Sequence, residues 1–302
     1  MSKKILAIYY TQTGQLGDIV NNFLLPFEDS GFTIEKVCVN PVTKFTFPWS
    51  SDSFFDAMPE SVLSKPTELQ AFTLKETSYD LIVFGYQPWF LSPSIPTTSL
   101  LENEALKKVL HNTPVVTIIG ARNMWINAHE RVKDSLKQTG AKLVGNIALV
   151  DKHTNLVSAV TILYWMMSGK KDKCLGIFPK PGVSDEDILN TKAFGLIVKQ
   201  HLANNNFDTL QQELVNSKAI EVKTNLMFVE GRAKKLFAIW GNLVKKSKNR
   251  KRTLVLFKYY LIIALFIVAP IVLFVYRLLF APFLSGLIKR QKQYFLGLTT
   301  SK

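Results

Sequence analysis

Cysteine is scarce in this chain: Cys38 and Cys174 are the only two among 302 residues, alongside four histidines. That excludes a disulfide-stapled scaffold and fits a reduced compartment. No His, Cys or carboxylate cluster stands at ligand spacing, so no metal site is expected. Glycine and proline, 15 and 13 residues, are too few and too scattered for a collagen-like or low-complexity chain. Two familiar phosphate-binding signatures are missing. Without GxGxxG a dinucleotide-binding Rossmann site is disfavoured, and without GxxxxGK[ST] so is a P-loop. The apolar run after Met1-Ser2-Lys3-Lys4 stops at Thr11-Gln12-Thr13, too soon for a signal-peptide core.

Acidic side chains are nearly absent from the last quarter of the sequence. Residues 1–229 balance 22 Lys and Arg against 22 Asp and Glu, whereas residues 230–302 carry 15 Lys and Arg against Glu230 alone. The formal net charge of +14 therefore belongs to the C-terminal region, and the remainder is neutral. Basic residues beside an apolar stretch, with no nucleic-acid reading element, point to a membrane surface and away from DNA or RNA. Residues 259–276, YYLIIALFIVAPIVLFVY, carry no charge. As a helix they measure about 27 Å, close to the ~30 Å hydrocarbon core of a bilayer.

Lys258 and Arg277 bracket that stretch, and Lys245, Lys246, Lys248, Arg250, Lys251 and Arg252 cluster upstream. Each contributes about 1 kcal/mol beside an anionic leaflet. The charge asymmetry favours a single span with its N-terminal side in the cytoplasm. Lys289, Arg290 and Lys292 are also basic, and the apolar stretch continues through Leu278–Ile288. A monotopic hairpin bent near Pro270 is therefore the other topology. Either way the expected location is the cytoplasmic face of the inner membrane, with lipids as partners.

Ahead of residue 206, strand and helix patterns alternate. Lys4–Tyr10, Thr33–Val39, Tyr79–Gly85, Pro114–Gly120 and Lys142–Val150 read as strands, the first a continuous apolar run of the kind buried on both faces. Gln15–Glu28, Glu104–Leu110, Ala128–Gln138 and Asp185–Asn204 read as helices, the last capped at Ser184. Strands separated by helices predict an α/β fold, a doubly wound five-stranded parallel sheet of order 2-1-3-4-5 with its ligand beyond the strands' carboxyl ends. The expected organisation is a sheet domain over 1–205, a helical linker over 206–229, a basic juxtamembrane helix over 230–253, a membrane segment over 254–288 and a basic tail over 289–302.

Three loops leave carboxyl ends of the strands. The first, Thr11-Gln12-Thr13-Gly14-Gln15-Leu16, offers hydroxyls, backbone N–H groups and a helix N-terminus to a phosphate, without a lysine or arginine. A neutral cradle of this kind suits a monophosphate ester. It resembles the FMN-phosphate loop of the flavodoxin-like family, [ST]-x-T-G-x-T, with Leu16 in place of a third hydroxyl. The second, Gly85-Tyr86-Gln87-Pro88-Trp89-Phe90, resembles the family loop that lays an aromatic ring on the isoalloxazine, and Tyr86, Trp89 and Phe90 are the candidate rings. The third, Gly120-Ala121-Arg122-Asn123-Met124-Trp125, resembles the loop bordering the pyrimidine edge of the flavin, with Gly120, Arg122, Asn123 and Trp125 as candidates. The cofactor that this resemblance implies is FMN.

Over nearly its whole length the chain also resembles a bacterial family labelled dialkylresorcinol condensing enzymes, associated with flexirubin-type and aryl-polyene pigments. The shared arrangement includes Phe47-Pro48-Trp49-Ser50-Ser51-Asp52, Ser92-Pro93-Ser94-Ile95-Pro96, Gly176-Ile177-Phe178-Pro179-Lys180-Pro181-Gly182 and the membrane tail. Acyl condensation normally needs an activated Cys with His partners, a setting that neither Cys38 nor Cys174 has. A flavin fold suits the oxidative step instead: removal of two hydrogens from a 2,5-dialkylcyclohexane-1,3-dione to give the resorcinol. The resemblance thus implies a flavin-dependent oxidoreductase (an aromatase) with a lipophilic substrate and a ketosynthase of the same pathway as partner.

His129 is the first candidate base, followed by Asp151 and His153, and Arg122 is the candidate for polarising the dione oxygens. Phe45–Phe55 and the apolar Leu156–Met167 are candidate walls for alkyl chains. The second of these also reads as buried core or as a homodimer contact. Two other functions fit the same pattern: a membrane-bound electron carrier or NAD(P)H:quinone reductase, and a flavin-free anchoring subunit of a lipid-pathway assembly.

Overall fold

The computed structural model describes residues 2–28, 31–280 and 283–299. Residues 281–282 of the expected membrane segment and 300–302 of the expected tail lie outside the described residues.

Five parallel strands form the central sheet: β1 Lys3–Tyr9, β2 Phe32–Cys38, β3 Leu81–Tyr86, β6 Pro114–Ala121 and β7 Lys142–Val150. Two further strands of two residues each, β4 Pro88–Trp89 and β5 Ser92–Pro93, pair antiparallel in the loop after β3. The sheet order is β2-β1-β3-β6-β7, which is 2-1-3-4-5 when the two short strands are left out. This is the flavodoxin-like doubly wound sheet expected from the sequence. Ile5 pairs with Ile34 on one side and with Leu81 on the other. The chain reverses its winding between β1 and β3, and the crevice opens at the carboxyl ends there.

The helices follow from which residues must be hidden. On one face of the sheet Leu6, Ile8, Phe84 and Ile119 meet Val132 and Leu136 of α6 Ile126–Gln138. On the other, Ile5, Ala7, Val83 and Ile118 meet α1 Gln15–Glu28, α8 Asp185–Asn204 and α9 Leu210–Asn216. Each sheet strand except the half-covered edge strand β2 is therefore largely apolar without alternation, because both faces are covered. Ser184 caps α8 as expected, its hydroxyl accepting from Asp187 N at 3.1 Å.

Close packing of α1 against α8 depends on one glycine. A Cβ at Gly195 would lie 2.1 Å from Phe23 O, a backbone atom that cannot step aside alone. Gly195→Ala is expected to cost about 3 kcal/mol, the upper part of the usual overpacking range. A denaturant midpoint equal to that of the parent protein would rule out this close approach.

Three short helices here lack a readable sequence signal. α2 Ser51–Asp56, α3 Met58–Val62 and α4 Ile95–Glu102 are short, and α5 Glu104–Leu110 follows at once, capped by Asn103. α7 Asn155–Ser168 is the apolar insertion. α10 runs unbroken through Thr224–Lys246. After Ser247–Asn249 the chain re-enters a helix, α11 Arg250–Ile263, which continues through a wider π-helical stretch, Ala264–Val268, into α12 Ala269–Val275. The wide turn stands just before Pro270, whose missing N–H interrupts the regular hydrogen-bond ladder. Arg250–Val275 forms one helix of 26 residues, long and apolar enough to cross a membrane by length and composition. The last described helix is α13 Ser285–Leu296.

Candidate functional site

At the carboxyl end of the sheet, the loops after β1, β3 and β6 converge on a cavity of about 210 Å³. Gln12, Thr13, Gln15 and Leu16 come from the first loop, Gln87 to Phe90 from the second, and Gly120, Ala121 and Arg122 from the third. Both apolar insertions close over it. Trp49 and Phe54 come from the first, and Ile162, Leu163, Trp165 and Met166 from α7. The two insertions are fastened together where Trp49 N donates to Met166 O at 2.8 Å.

The β1 loop is held open from both sides. Gln12 Nε2 donates to Phe45 O at 2.9 Å, and its amide oxygen accepts from the Tyr10 hydroxyl. Gln15 is clamped to the α7–α8 connection: it donates to Val183 O at 3.1 Å and accepts from Val183 N at 3.1 Å. The two glutamine side chains are therefore spent on positioning. Of the remaining groups Thr13 lines the cavity, while Thr11 and Gly14 belong to the same loop but are not on its lining. Gly14 has φ +86° with open space where a Cβ would stand, a left-handed turn that favours glycine. Thr11 Oγ1 is buried and has no hydrogen-bond partner. A buried hydroxyl left in this state costs about 1–3 kcal/mol. Leu16, in place of a third hydroxyl, is 2% exposed and serves the core beneath.

Trp89 is fixed edge-to-face by Trp49 at 5.3 Å, by Phe45 at 5.0 Å and by Tyr10 at 6.0 Å between ring centroids. Beside it, Phe90 and Leu91 have φ of +47° and +60°, the tight turn between β4 and β5 that glycine or asparagine usually takes. Of the three candidate rings in this loop, Trp89 and Phe90 reach the cavity. Tyr86 does not: it is fully buried, and its hydroxyl shares a 2.8 Å hydrogen bond with His129 Nδ1. Gln87 Nε2 is a second buried group without a partner.

In the third loop, Arg122 lines the cavity while its guanidinium donates to Asn155 O at 3.0 Å and to Ser158 Oγ at 3.2 Å. Burial pulls its pKa down to about 10, and the Asp151 carboxylate acts in the opposite direction. Asn123 donates to Asn155 Oδ1 at 2.9 Å, and its own Oδ1 is buried without a partner. Trp125 is 2% exposed and packs against His129 with centroids 5.8 Å apart, inside the core.

The proton-accepting candidates are divided between two places. His129 lies in the core below the cavity, not on its lining, and burial, helped by the nearby Lys133, pushes its pKa down to about 3. Its Nδ1 shares the hydrogen bond with the Tyr86 hydroxyl, and its Nε2 is buried without a partner. Asp151 is wholly buried; its carboxylate accepts from His153 Nδ1 at 2.6 Å and from Gly182 N at 3.2 Å. The His153 side chain is 42% exposed. Asp151 and His153 thus form an oriented pair beside the Gly182 that lines the cavity. No metal-binding cluster occurs among the described residues.

The Gln15–Val183 clamp and the Asn155 and Ser158 contacts of Arg122 were not readable from the sequence. Their only local trace is the Pro181-Gly182 turn, where Gly182 has φ +81° and a Cβ would meet Trp165 at 2.8 Å.

No known family profile matches the sequence, and no curated protein does. Among solved structures, a flavoprotein from Lactobacillus acidophilus NCFM in complex with FMN is 17% identical, with 48% of this chain and 92% of that one covered at a TM-score of 0.38. Oxidised flavodoxin 1 from Bacillus cereus is 13% identical over 66% and 98% of the two chains, at 0.37. A flavodoxin from the domain Archaea is 10% identical over 66% and 99%, at 0.34. These are likenesses of fold.

Proposed function

We propose that this chain is an FMN-dependent oxidoreductase that acts on a lipophilic small molecule at a membrane surface, as the aromatising step of dialkylresorcinol formation. One observation carries the reading. Phe54 and Phe90 line the cavity, and Phe90 also packs against Phe237 and Phe257 of the C-terminal helices. The ring centroids of Phe54 and Phe90 lie 5.0 Å apart, and Phe90 is 6.4 Å from Phe257. An apolar seam therefore runs from the candidate cofactor site to the membrane-directed part of the chain, as a substrate with alkyl chains requires.

The residues fit FMN. Thr11, Thr13, Gly14 and the N-terminus of α1 would hold its phosphate. Trp89, Phe90, Gln87 and Asn123 would border its ring, with two buried amide groups otherwise unpaired. Bound FMN supplies a two-electron acceptor. The chain's own groups supply the rest. Arg122 presents a buried positive charge to the dione oxygens, and the Asp151–His153 pair takes the proton released as a 2,5-dialkylcyclohexane-1,3-dione loses two hydrogens. Phe54, Ile162, Leu163 and Met166 offer the alkyl chains a dry wall. A ketosynthase reaction of the same pathway would deliver the dione.

The test is purification of the full chain in mild detergent, a flavin spectrum, and anaerobic addition of the cyclic dione. Bleaching by the dione with appearance of the resorcinol is expected. Bleaching by NAD(P)H alone, followed by quinone turnover, would reassign the chain as a quinone reductase. Absence of flavin, with none taken up from added FMN, would leave only an anchoring role.

A further inference from the structure

We propose that the apolar helix Arg250–Val275 does not cross the bilayer but lies in its surface, with both ends on the side of the sheet domain. It would be the floor of a one-sided platform that rests on anionic lipid. The inference depends on the membrane reading above and adds its topology.

Both ends of the helix, and the segment beyond it, are fastened to the same body. At the start, the Arg250 guanidinium grips Asp56 Oδ1 at 2.7 Å and Glu60 Oε2 at 2.8 Å, on α2 and α3. Two turns further, Lys258 Nζ donates to Ser51 Oγ at 2.8 Å, while Phe257 is wholly buried in a cluster that includes Phe55 and Met58. At the far end, Tyr276 is 6% exposed and stacks on Phe228 with ring centroids 3.7 Å apart. Phe228 belongs to the first turns of α10, so the apolar helix runs antiparallel to α10. α10 in turn is seated on the body at both ends. Asn127 N donates to Glu230 Oε1 at 2.8 Å, and Val244 is buried with Met58 and Val62.

The chain beyond the helix returns as well. In α13 the Tyr294 hydroxyl donates to Glu130 Oε2 at 2.7 Å, and Gln211 Nε2 donates to Leu296 O at 2.7 Å. Lys133 Nζ donates to Thr299 O at 2.7 Å, and Ile288, Phe295 and Leu296 pack on the core of the sheet domain. A helix of 26 residues is about 39 Å long. Standing across a bilayer from Arg250, it would leave Tyr276 and residues 285–299 beyond ~30 Å of hydrocarbon. The contacts of Tyr276 and of α13 with the body could not then form.

What the helix turns away from the body is apolar. Leu256, Tyr259, Ile263, Ile267, Ile271 and Phe274 are exposed, and so are Val255, Ile262, Val268, Val272 and Val275, so the uncovered apolar surface is broad. The occupant of this face is settled by charge. Fifteen Lys and Arg lie in residues 230–302, where the single acidic side chain, Glu230, is buried against α6. A broad apolar face flanked by cations fits anionic headgroups, with that face reaching about 5–10 Å into the acyl boundary.

Topology is read by cysteine accessibility in membrane vesicles carrying the full chain. Cys38 is replaced by serine, and buried Cys174 stays as an internal control. One variant carries Ser217→Cys on the body, another Gln291→Cys on α13; both positions are exposed. A membrane-impermeant maleimide is applied to sealed vesicles in the orientation in which Ser217→Cys reacts. Gln291→Cys is expected to react there to the same extent without detergent. Reaction of Gln291→Cys only after detergent would establish a span and overturn the in-plane arrangement while leaving membrane attachment intact. A chain that does not float with vesicles containing phosphatidylglycerol, or that covers the face with a second copy, would overturn the membrane reading itself.

Discussion

Thr11→Val is expected to weaken FMN binding about 10- to 100-fold while raising the melting temperature of the flavin-free protein by a few degrees. The opposite signs come from one atom. Thr11 Oγ1 is buried without a partner, so in the flavin-free chain it contributes only a desolvation cost of about 1–3 kcal/mol, which an apolar group of the same shape removes. With the phosphate in place, the same hydroxyl makes a hydrogen bond to a charged group, worth about 1.5–3 kcal/mol. Flavin titration and thermal melts on the same two proteins give both numbers. Unchanged affinity in the variant would remove Thr11 from the cradle, whatever happens to the melting temperature.

Glu230→Gln is expected to abolish a pH dependence of stability that the native carboxyl creates. Glu230 is 1% exposed at the N-terminus of α6, and burial raises its pKa from 4.5 to about 7 although Asn127 and Ile126 N–H groups oppose the rise. The folded state therefore holds a proton that the unfolded chain releases between these values. The stabilisation is full below pH about 4.5 and is lost as pH rises through about 7, a change of about 3 kcal/mol. Buried neutral His129, with its pKa lowered to about 3, acts in the opposite sense, losing stability as pH falls below its unfolded value. The informative quantity is therefore the difference between native and variant, which cancels His129. The variant is expected to match the native protein near pH 4.5 and exceed it by about 3 kcal/mol at pH 8. A constant difference across that range would mean that the Glu230 proton does not change on folding. Because Glu230 joins α10 to the Trp125 loop, the same comparison reports how firmly the C-terminal helices are seated.

The sheet was legible in the sequence because four of its strands are short, largely apolar runs of the kind that two-sided burial explains, and β2 alternates as a half-covered edge strand does. β7 and helices α1, α5 and α8 fall at the residues their patterns mark. Three site loops were legible because each follows a strand and carries glycine, hydroxyl or aromatic residues together. What those side chains touch was less so. Tyr86, a ring-stacking candidate, and Trp125, a candidate of the loop bordering the pyrimidine edge, sit in the core, and His129, a plausible base by position, lies there with Tyr86. A periodicity states that a residue is covered and says nothing of what covers it. α2, α3 and α9, at five to seven residues, are too short for a periodic signal at all.

By itself the sequence determined the strand–helix alternation, the neutral body with a basic, apolar C-terminal region, and a phosphate-sized loop without a cation. These are local properties of composition and spacing, written within a few residues of one another. Only the tertiary structure decided that Gln15 is clamped by Val183, that Trp49 braces Trp89, and that Phe90 joins the cavity to Phe257. It also decided that Tyr276 lies on Phe228. Such contacts join residues from 40 to nearly 170 positions apart, and their formation depends on how the layers pack, not on any propensity of the segments that meet.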